Sequence, residues 1–232
     1  MEDLGKIEVQ NGYVALEEVM GSDVTVADVA RVSFNKRTAL NKDGTLKNGD
    51  KKLIKYLAEH GHTSPFRHQF LRFRVEAPIF VLRQWGKHQV GCAWNEVSGR
   101  YVEFKPKFWK VDAFRGKPTE NAKQGSGEEL LPIEEAYCQG IYQKANEAAF
   151  EAYQTLIKIG SCNEQARMVL PACLMTEFVW SCSLQACAHF LKQRLDSHAQ
   201  REIQMFAEAV YNLAKPYFTE SLNNLVQVNN NG

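Results

Sequence analysis

Gln69-Phe70-Leu71-Arg72-Phe73-Arg74-Val75-Glu76-Ala77-Pro78 decides how the chain is built. Successive side chains of a strand point to opposite faces, so Leu71, Phe73 and Val75 fall on one side and Arg72, Arg74 and Glu76 on the other. One face is made for a core and the other is polar or an interface. Ala77-Pro78 then hands the chain to Arg83-Gln84-Trp85-Gly86-Lys87-His88-Gln89-Val90-Gly91-Cys92-Ala93-Trp94-Asn95-Glu96-Val97-Ser98-Gly99-Arg100-Tyr101, where few residues are merely hydrophobic. Proline suits a first helical turn, and Phe80, Val81, Gln84, Trp85 and His88 recur at three- and four-residue spacing. The spacing predicts a helix from Pro78 to near Gly91, with Arg83 and Lys87 on one face, Gln84 and His88 on another, and a loop from the Trp94-Asn95-Glu96 group onward. Ser98-Gly99-Arg100 reads in two ways. It brings a hydroxyl, backbone N–H groups and a guanidinium to one oxyanion, or it is a turn with solvated charges.

Toward the N-terminus, Lys6 to Gln10 and Tyr13 to Val19 alternate as strands, and Asn11-Gly12 between them is a type I′ hairpin signal. Val24 to Phe34 has helical spacing with Asp23 or Thr25 as a cap, and places Ser33 at its end toward a ligand. Residues 35–50 read as an exposed loop, followed by a short helix from about Asp50 that ends at Gly61. His62-Thr63-Ser64-Pro65-Phe66-Arg67-His68 is a loop because of its proline. Its two histidines lack a third ligand at fitting spacing, so no metal is expected.

Toward the C-terminus, residues 103–131 form a long irregular excursion, with prolines and glycines spread among lysines and aromatics. Lys105, Lys107, Phe108, Trp109 and Lys110 read either as a surface that stacks on heterocycles or as a solvated loop with anchoring rings. Ile133 to Ile159 predicts a long amphipathic helix. Its stripe of Ile141, Ala145, Ala148, Ala149, Ala152 and Leu156 is small enough for another helix or subunit to approach closely. A short helix follows over 162–170, then a strand over 174–181 and a helix over 183–194, with Leu184, Cys187, Ala188 and Leu191 buried and Gln185, His189 and Lys192 opposite. Ser197 and Gln200 stand at capping-box spacing before a last helix that stops at Pro216. The tail from 227 to 232 is expected to fray.

The 232 residues are enough to bury a sizeable core as one large domain or two small ones, and the composition is that of an ordinary soluble globular protein. A net charge of +1 gives no general pull toward nucleic acid or membrane, so an anion site has to be local. No apolar run reaches about 18 residues and the acidic start is unlike a signal peptide, which points to the cytoplasm. The six cysteines lack C-x-x-C pairs and read as free, buried thiols. Cys92 lies in the polar stretch, yet only His88 stands near it and no third group completes a nucleophilic set.

Four blocks of residues resemble the flavin-dependent thymidylate synthase family. They are Ala30 to Phe34; Gly61 to His68; Arg83-Gln84-Trp85 through Asn95-Glu96-Val97-Ser98-Gly99-Arg100-Tyr101; and Ala166 to Pro171 together with His189 to Leu191 and Arg194 to Gln200. The resemblance implies one α/β (α+β) domain over residues 1–232, with a mixed or antiparallel sheet flanked by long helices, in a homotetramer whose active sites are shared between subunits. It implies reductive methylation of dUMP to dTMP, with methylenetetrahydrofolate giving the carbon, NADPH the electrons and FAD carrying the hydride. Matched by position, Gln84, Lys87, Glu96, Ser98, Gly99, Arg100, Arg167 and Arg194 surround dUMP. Ser33, Ser64, Arg67, Lys87, His88, Gln89, Asn95, Glu96, Ser183, Gln185, His189 and His198 meet the flavin. Arg194, beside the uracil, carries the catalytic role by polarising the ring electrostatically, so no enzyme nucleophile is needed.

The chain also departs from the family pattern. Lys87-His88-Gln89 replaces the usual Arg-His-Arg, and the gap from His88 to Asn95 is one residue longer. Ser183 and Gln185 stand for Asn and Arg, and Arg67 stands where an acid is more common. Lysine keeps the charge but loses the planar fork, and glutamine loses the charge. Weaker or differently posed FAD is the expectation. A different C5 modification such as hydroxymethylation, or a nucleotide-binding paralogue without turnover, are the other readings.

Overall fold

The computed structural model describes residues 4–118 and 125–226. Five antiparallel strands form one sheet in the order β1-β2-β3-β5-β4: β1 Lys6–Val9, β2 Gly12–Met20, β3 Phe70–Pro78, β4 Cys92–Glu96 and β5 Met175–Ser183. The protein is α+β. The alternation in β3 holds: Leu71, Phe73 and Val75 are buried and stand opposite Cys182, Trp180 and Phe178 of β5. Each such large apolar side chain contributes about 1.5–3 kcal/mol on burial. On the other face Arg72 and Arg74 pair with Glu17, Glu18 and Glu177.

Eight helices accompany the sheet among the described residues. They are α1 Asp23–Val32, α2 Asn48–Glu59, α3 Ile79–Trp85, α4 Pro132–Lys158, α5 Asn163–Ala166, α6 Leu184–Arg194, α7 Arg201–Ala214 and α8 Thr219–Leu225. Helices α4 and α5 pack on each other around Phe150, Tyr153 and Ala166, and the others contribute to the main core. Trp85 of α3 is fully buried, stacked on Phe190 of α6 at 4.5 Å and edge-on to Trp180 at 5.3 Å. That aromatic group fixes how α3 sits on the sheet, and so where its polar side points. No helix among the described residues is long and apolar enough to cross a membrane.

Several expectations need correction. The hairpin turn is centred on Gln10 and Asn11, because Val9 pairs with Gly12, and Gln10 takes the left-handed conformation at φ 56. Gly12 instead lies in β2, where a Cβ would meet the Glu76 carbonyl oxygen at 2.2 Å. The helix from Pro78 does not reach Gly91. It ends at Trp85, with Gly86 as C-cap, and residues 92–96 are strand β4, not loop. The free edge of β5 supplies backbone partners that local periodicity cannot register. The capping box at Ser197 and Gln200 does not form. Gln200 is the N-cap of α7 but its side chain makes no capping bond, and the side chain of Gln204 donates back to the carbonyls of Asp196 and Ala199.

Helix α8, beyond Pro216, was missed, because its cap comes from the far end of the chain. The Asp23 carboxylate accepts the backbone N–H groups of Glu220 at 2.7 Å and Ser221 at 3.0 Å. The stripe on α4 does not face this chain's core: Ile141, Ala145, Ala148 and Ala152 are exposed, while Asn146, Phe150 and Tyr153 are buried. The described part of the 103–131 excursion is irregular but anchored. Trp109 is buried, and Phe108 bridges to Leu174 and packs edge-on to Phe150. All six cysteines are free, with Cys182 and Cys187 buried but Cys162 exposed. The tail from 227 to 232 lies outside the described residues.

Candidate active site

Past β4 the chain turns at Ser98, whose carbonyl accepts the N–H groups of Tyr101 and Val102 and whose hydroxyl accepts the N–H of Arg100 at 3.3 Å. Gly99 is buried against the ring of Phe104, so closely that a Cβ would meet its Cε2 at 2.2 Å. Only glycine permits that approach. This turn walls a cavity of about 490 Å³ that is also lined by Glu96, Arg83 and Arg167. The Glu96 carboxylate accepts the hydroxyl of Thr176 at 2.9 Å. Ile79 and Arg83, one turn apart on α3, reach the cavity from one side, and Arg167 comes from the 3-10 turn Arg167–Val169.

A second cavity, of about 470 Å³, lies beyond the end of α3. The turn after Gly86 contributes Lys87, His88 and Gln89, the 3-10 turn Ser64–Arg67 contributes Arg67, and the start of α6 contributes Ser183, Gln185 and His189. The hydroxyl of Ser183 caps α6 by accepting the N–H of Ala186 at 3.2 Å. Gln185 Oε1 is buried and has no hydrogen-bond partner among the described residues.

Between α3 and α6 lies a polar knot. Arg194 donates through Nε to His88 Nε2 at 3.0 Å and through a terminal nitrogen to the Gln84 carbonyl at 3.1 Å. Gln84 Nε2 donates to Gln200 Oε1 at 2.6 Å. Burial, reinforced by Arg194 and His189, pushes the His88 pKa down from 6.5 to about 4. At neutral pH its imidazole is therefore uncharged and accepts from Arg194, which places its own proton on Nδ1. Burial also lowers the Arg194 pKa, though its guanidinium stays charged at neutral pH.

One chain thus sorts the expected residues into groups. Glu96, Ser98, Gly99 and Arg167 share the first cavity, with Arg100 nearby but held by Glu164 at 2.6 Å. Arg67, Lys87, His88, Gln89, Ser183, Gln185 and His189 share the second. Gln84 and Arg194 form the knot with His88. Four residues stand apart. Ser33 is the exposed C-cap of α1, Ser64 is exposed on its turn, and His198 is exposed and bonded to Asp196. Asn95 is exposed and points away from Glu96, since neighbours on a strand face opposite ways.

Arg83 was missed as a site residue, although its four-residue spacing from Ile79 was legible. Thr176 and Glu164, which hold Glu96 and Arg100, gave no sequence signal. The arginines divide cleanly. Arg31, Arg37, Arg72, Arg74, Arg100, Arg115 and Arg201 each meet a carboxylate. Arg67, Arg83, Arg167 and Arg194 meet none among the described residues, and all four belong to the two cavities or to the knot around His88. Uncompensated guanidinium groups gathered in concave surfaces mark a place for anions.

Residues 15–218 match the family described as Thymidylate synthase complementing protein. The flavin-dependent thymidylate synthase of Thermus thermophilus is 41% identical over 207 residues, covering 89% of this chain and 73% of that protein. The one from Kosmotoga olearia is 38% identical over 209 residues, covering 89% and 86%. Among solved structures, the UMP/dUMP methylase PolB from Streptomyces cacaoi, bound with 5-Br dUMP, superimposes with a TM-score of 0.80 at 31% identity, covering 93% of this chain and 95% of that one. With residues 15–218 matched by the family and 89% of the chain aligned with relatives 41% and 38% identical, the chain belongs to the flavin-dependent thymidylate synthase family.

Proposed function

We propose that this protein converts dUMP to dTMP, taking the carbon from methylenetetrahydrofolate and the electrons from NADPH. When bound, FAD supplies the hydride. The observation that carries this reading is the placement of the four arginines that meet no carboxylate among the described residues: two at the first cavity, one at the second and one bonded to His88 of the second. The first cavity suits a nucleotide: cationic forks and a hydroxyl for its phosphate, and a carboxylate held by Thr176 for its hydroxyl or N–H groups.

The second cavity suits a flavin dinucleotide. Arg67 and Lys87 have no carboxylate partner among the described residues and serve a pyrophosphate, while the orphaned Gln185 Oε1 accepts an N–H. Arg194 keeps its fixed charge at the knot, where it favours loss of the N3 proton of uracil and makes C5 a better nucleophile. Neutral His88 orients that guanidinium without adding a second positive charge. Burial pushes the Cys92 thiol up, which leaves it protonated and unsuited to attack.

Assembly as a homotetramer is part of the proposal. It is supported by the exposed apolar side of α4, where Ile133, Tyr137 and Ile141 are 80%, 73% and 53% accessible. We take residues 1–232 to act as one domain, in the cytoplasm.

The test is to purify the protein, record its visible spectrum, reduce the bound flavin, and follow reoxidation without oxygen. Reoxidation that needs both dUMP and the folate, with dTMP as product, is the expected result. Indifference to dUMP, or a protein that stays colourless with added FAD, would overturn the proposal. A hydroxymethylated product would redirect it to that chemistry.

A further inference from the structure

By sequence position, Arg100 and Arg167 are the guanidinium pair for the nucleotide phosphate. In the folded chain Arg100 is turned to Glu164, and the cavity is lined instead by Arg167 and Arg83. We propose that Arg83 is a phosphate-binding residue of this cavity, clamping the anion together with Arg167; the inference rests on the nucleotide reading above.

Three observations converge on it. Arg83 follows Ile79 by one helical turn and both line the cavity, while Val81 and Trp85 on the other side of α3 are fully buried. The stacking of Trp85 on Phe190 locks the rotation of α3, so the direction of Arg83 is set by the core and not by chance at the surface. Arg83 has no carboxylate partner among the described residues. The carboxylate lining this cavity, Glu96, accepts from Thr176 and bonds neither guanidinium, so the lining sets two positive charges against one negative and stays net cationic. The three terminal oxygens of a phosphate monoester can meet two planar forks, each on its own edge with one oxygen shared, and arginine suits that geometry where lysine does not. Arg83 also ends a helix, where a cation is favourable for the helix dipole alone. The experiment has to separate these two roles.

Affinities for dUMP and for deoxyuridine, which lacks the phosphate, are measured by calorimetry or competition for the wild-type protein, R83Q and R83K, together with thermal midpoints. R83Q is expected to weaken dUMP about ten- to hundredfold while deoxyuridine is unchanged, which is the loss of a charge-assisted bond to the phosphate. R83K is expected to fall between. Unchanged dUMP affinity in R83Q, or an equal loss for deoxyuridine, would overturn the assignment; so would a lowered thermal midpoint with the ratio of the two affinities intact, since that is the helix-end role. The nucleotide reading fails separately, in the wild-type protein, if dUMP binds no better than deoxyuridine.

Discussion

The two cavities are nearly equal in volume, about 490 and 470 Å³, but they are built from different material. The first rests on backbone: a turn at Ser98 and a glycine pressed against Phe104, with an arginine from each of two elements. The second is made of side chains on turns and at the start of α6. In the resemblance read from the sequence, the first keeps the residues of the family pattern, whereas the second carries the departures at Arg67, Lys87, Gln89, Ser183 and Gln185. Cationic charge absent at 89 and 185 is present at 67. A pocket made of side chains can move its charge from one segment to another, while a pocket resting on a glycine turn has no such freedom, because any Cβ there collides.

The largest effect is expected at the knot. R194A should lower turnover at least about a hundredfold, the scale of losing one preorganised electrostatic contact, with the assembly unchanged by sedimentation. Turnover near that of the parent would remove Arg194 from the chemistry.

Next is R67E, which should weaken FAD about ten- to hundredfold by fluorescence titration while dUMP binding in the absence of flavin is kept. If FAD affinity holds, the charge of the second cavity has not moved to residue 67. G99A should act in the opposite sense, pushing the Phe104 ring into the first cavity and weakening dUMP about tenfold while FAD is retained. Equal damage to both ligands would mean that the two cavities are not independent.

The smallest effect concerns pH. His88 takes a proton near 6.5 when unfolded but only near 4 in the folded chain, so between those values the unfolded state binds more protons. Stability contributed by neutral His88 is therefore complete above about pH 6.5 and is lost as pH falls toward 4. H88Q, which keeps an acceptor for Arg194, should flatten that part of the slope in urea midpoints measured from pH 7 to 4. An unchanged slope would show that His88 is not held neutral.

Strands β1, β2, β3 and β5 and helices α1, α4, α6 and α7 were legible because their periodicities are local. The misjudged stretch was the one richest in chemistry. Residues 86–96 carry helical spacing as far as His88, yet Gly86 stops the helix and the edge of β5 draws residues 92–96 into the sheet. Helix α8 escaped notice for a related reason: Asp23, which caps it, is 198 residues away from Ser221. Within the site, the residue types could be read but not their grouping. Arg83 and Arg100 look alike in the sequence, but Glu164 engages Arg100 while Arg83 meets no carboxylate among the described residues.

By itself the sequence determined the strand with one apolar face, the helices with continuous stripes, and the polar residues that match a known family. These follow from the period of side chains along one segment and from residue chemistry. Only the tertiary structure decided which of those polar groups share a cavity, which arginines remain without a carboxylate, and that Arg194 meets a neutral His88. Such facts depend on distances between segments a hundred residues apart, and on burial that exists only once the sheet and helices have closed on each other.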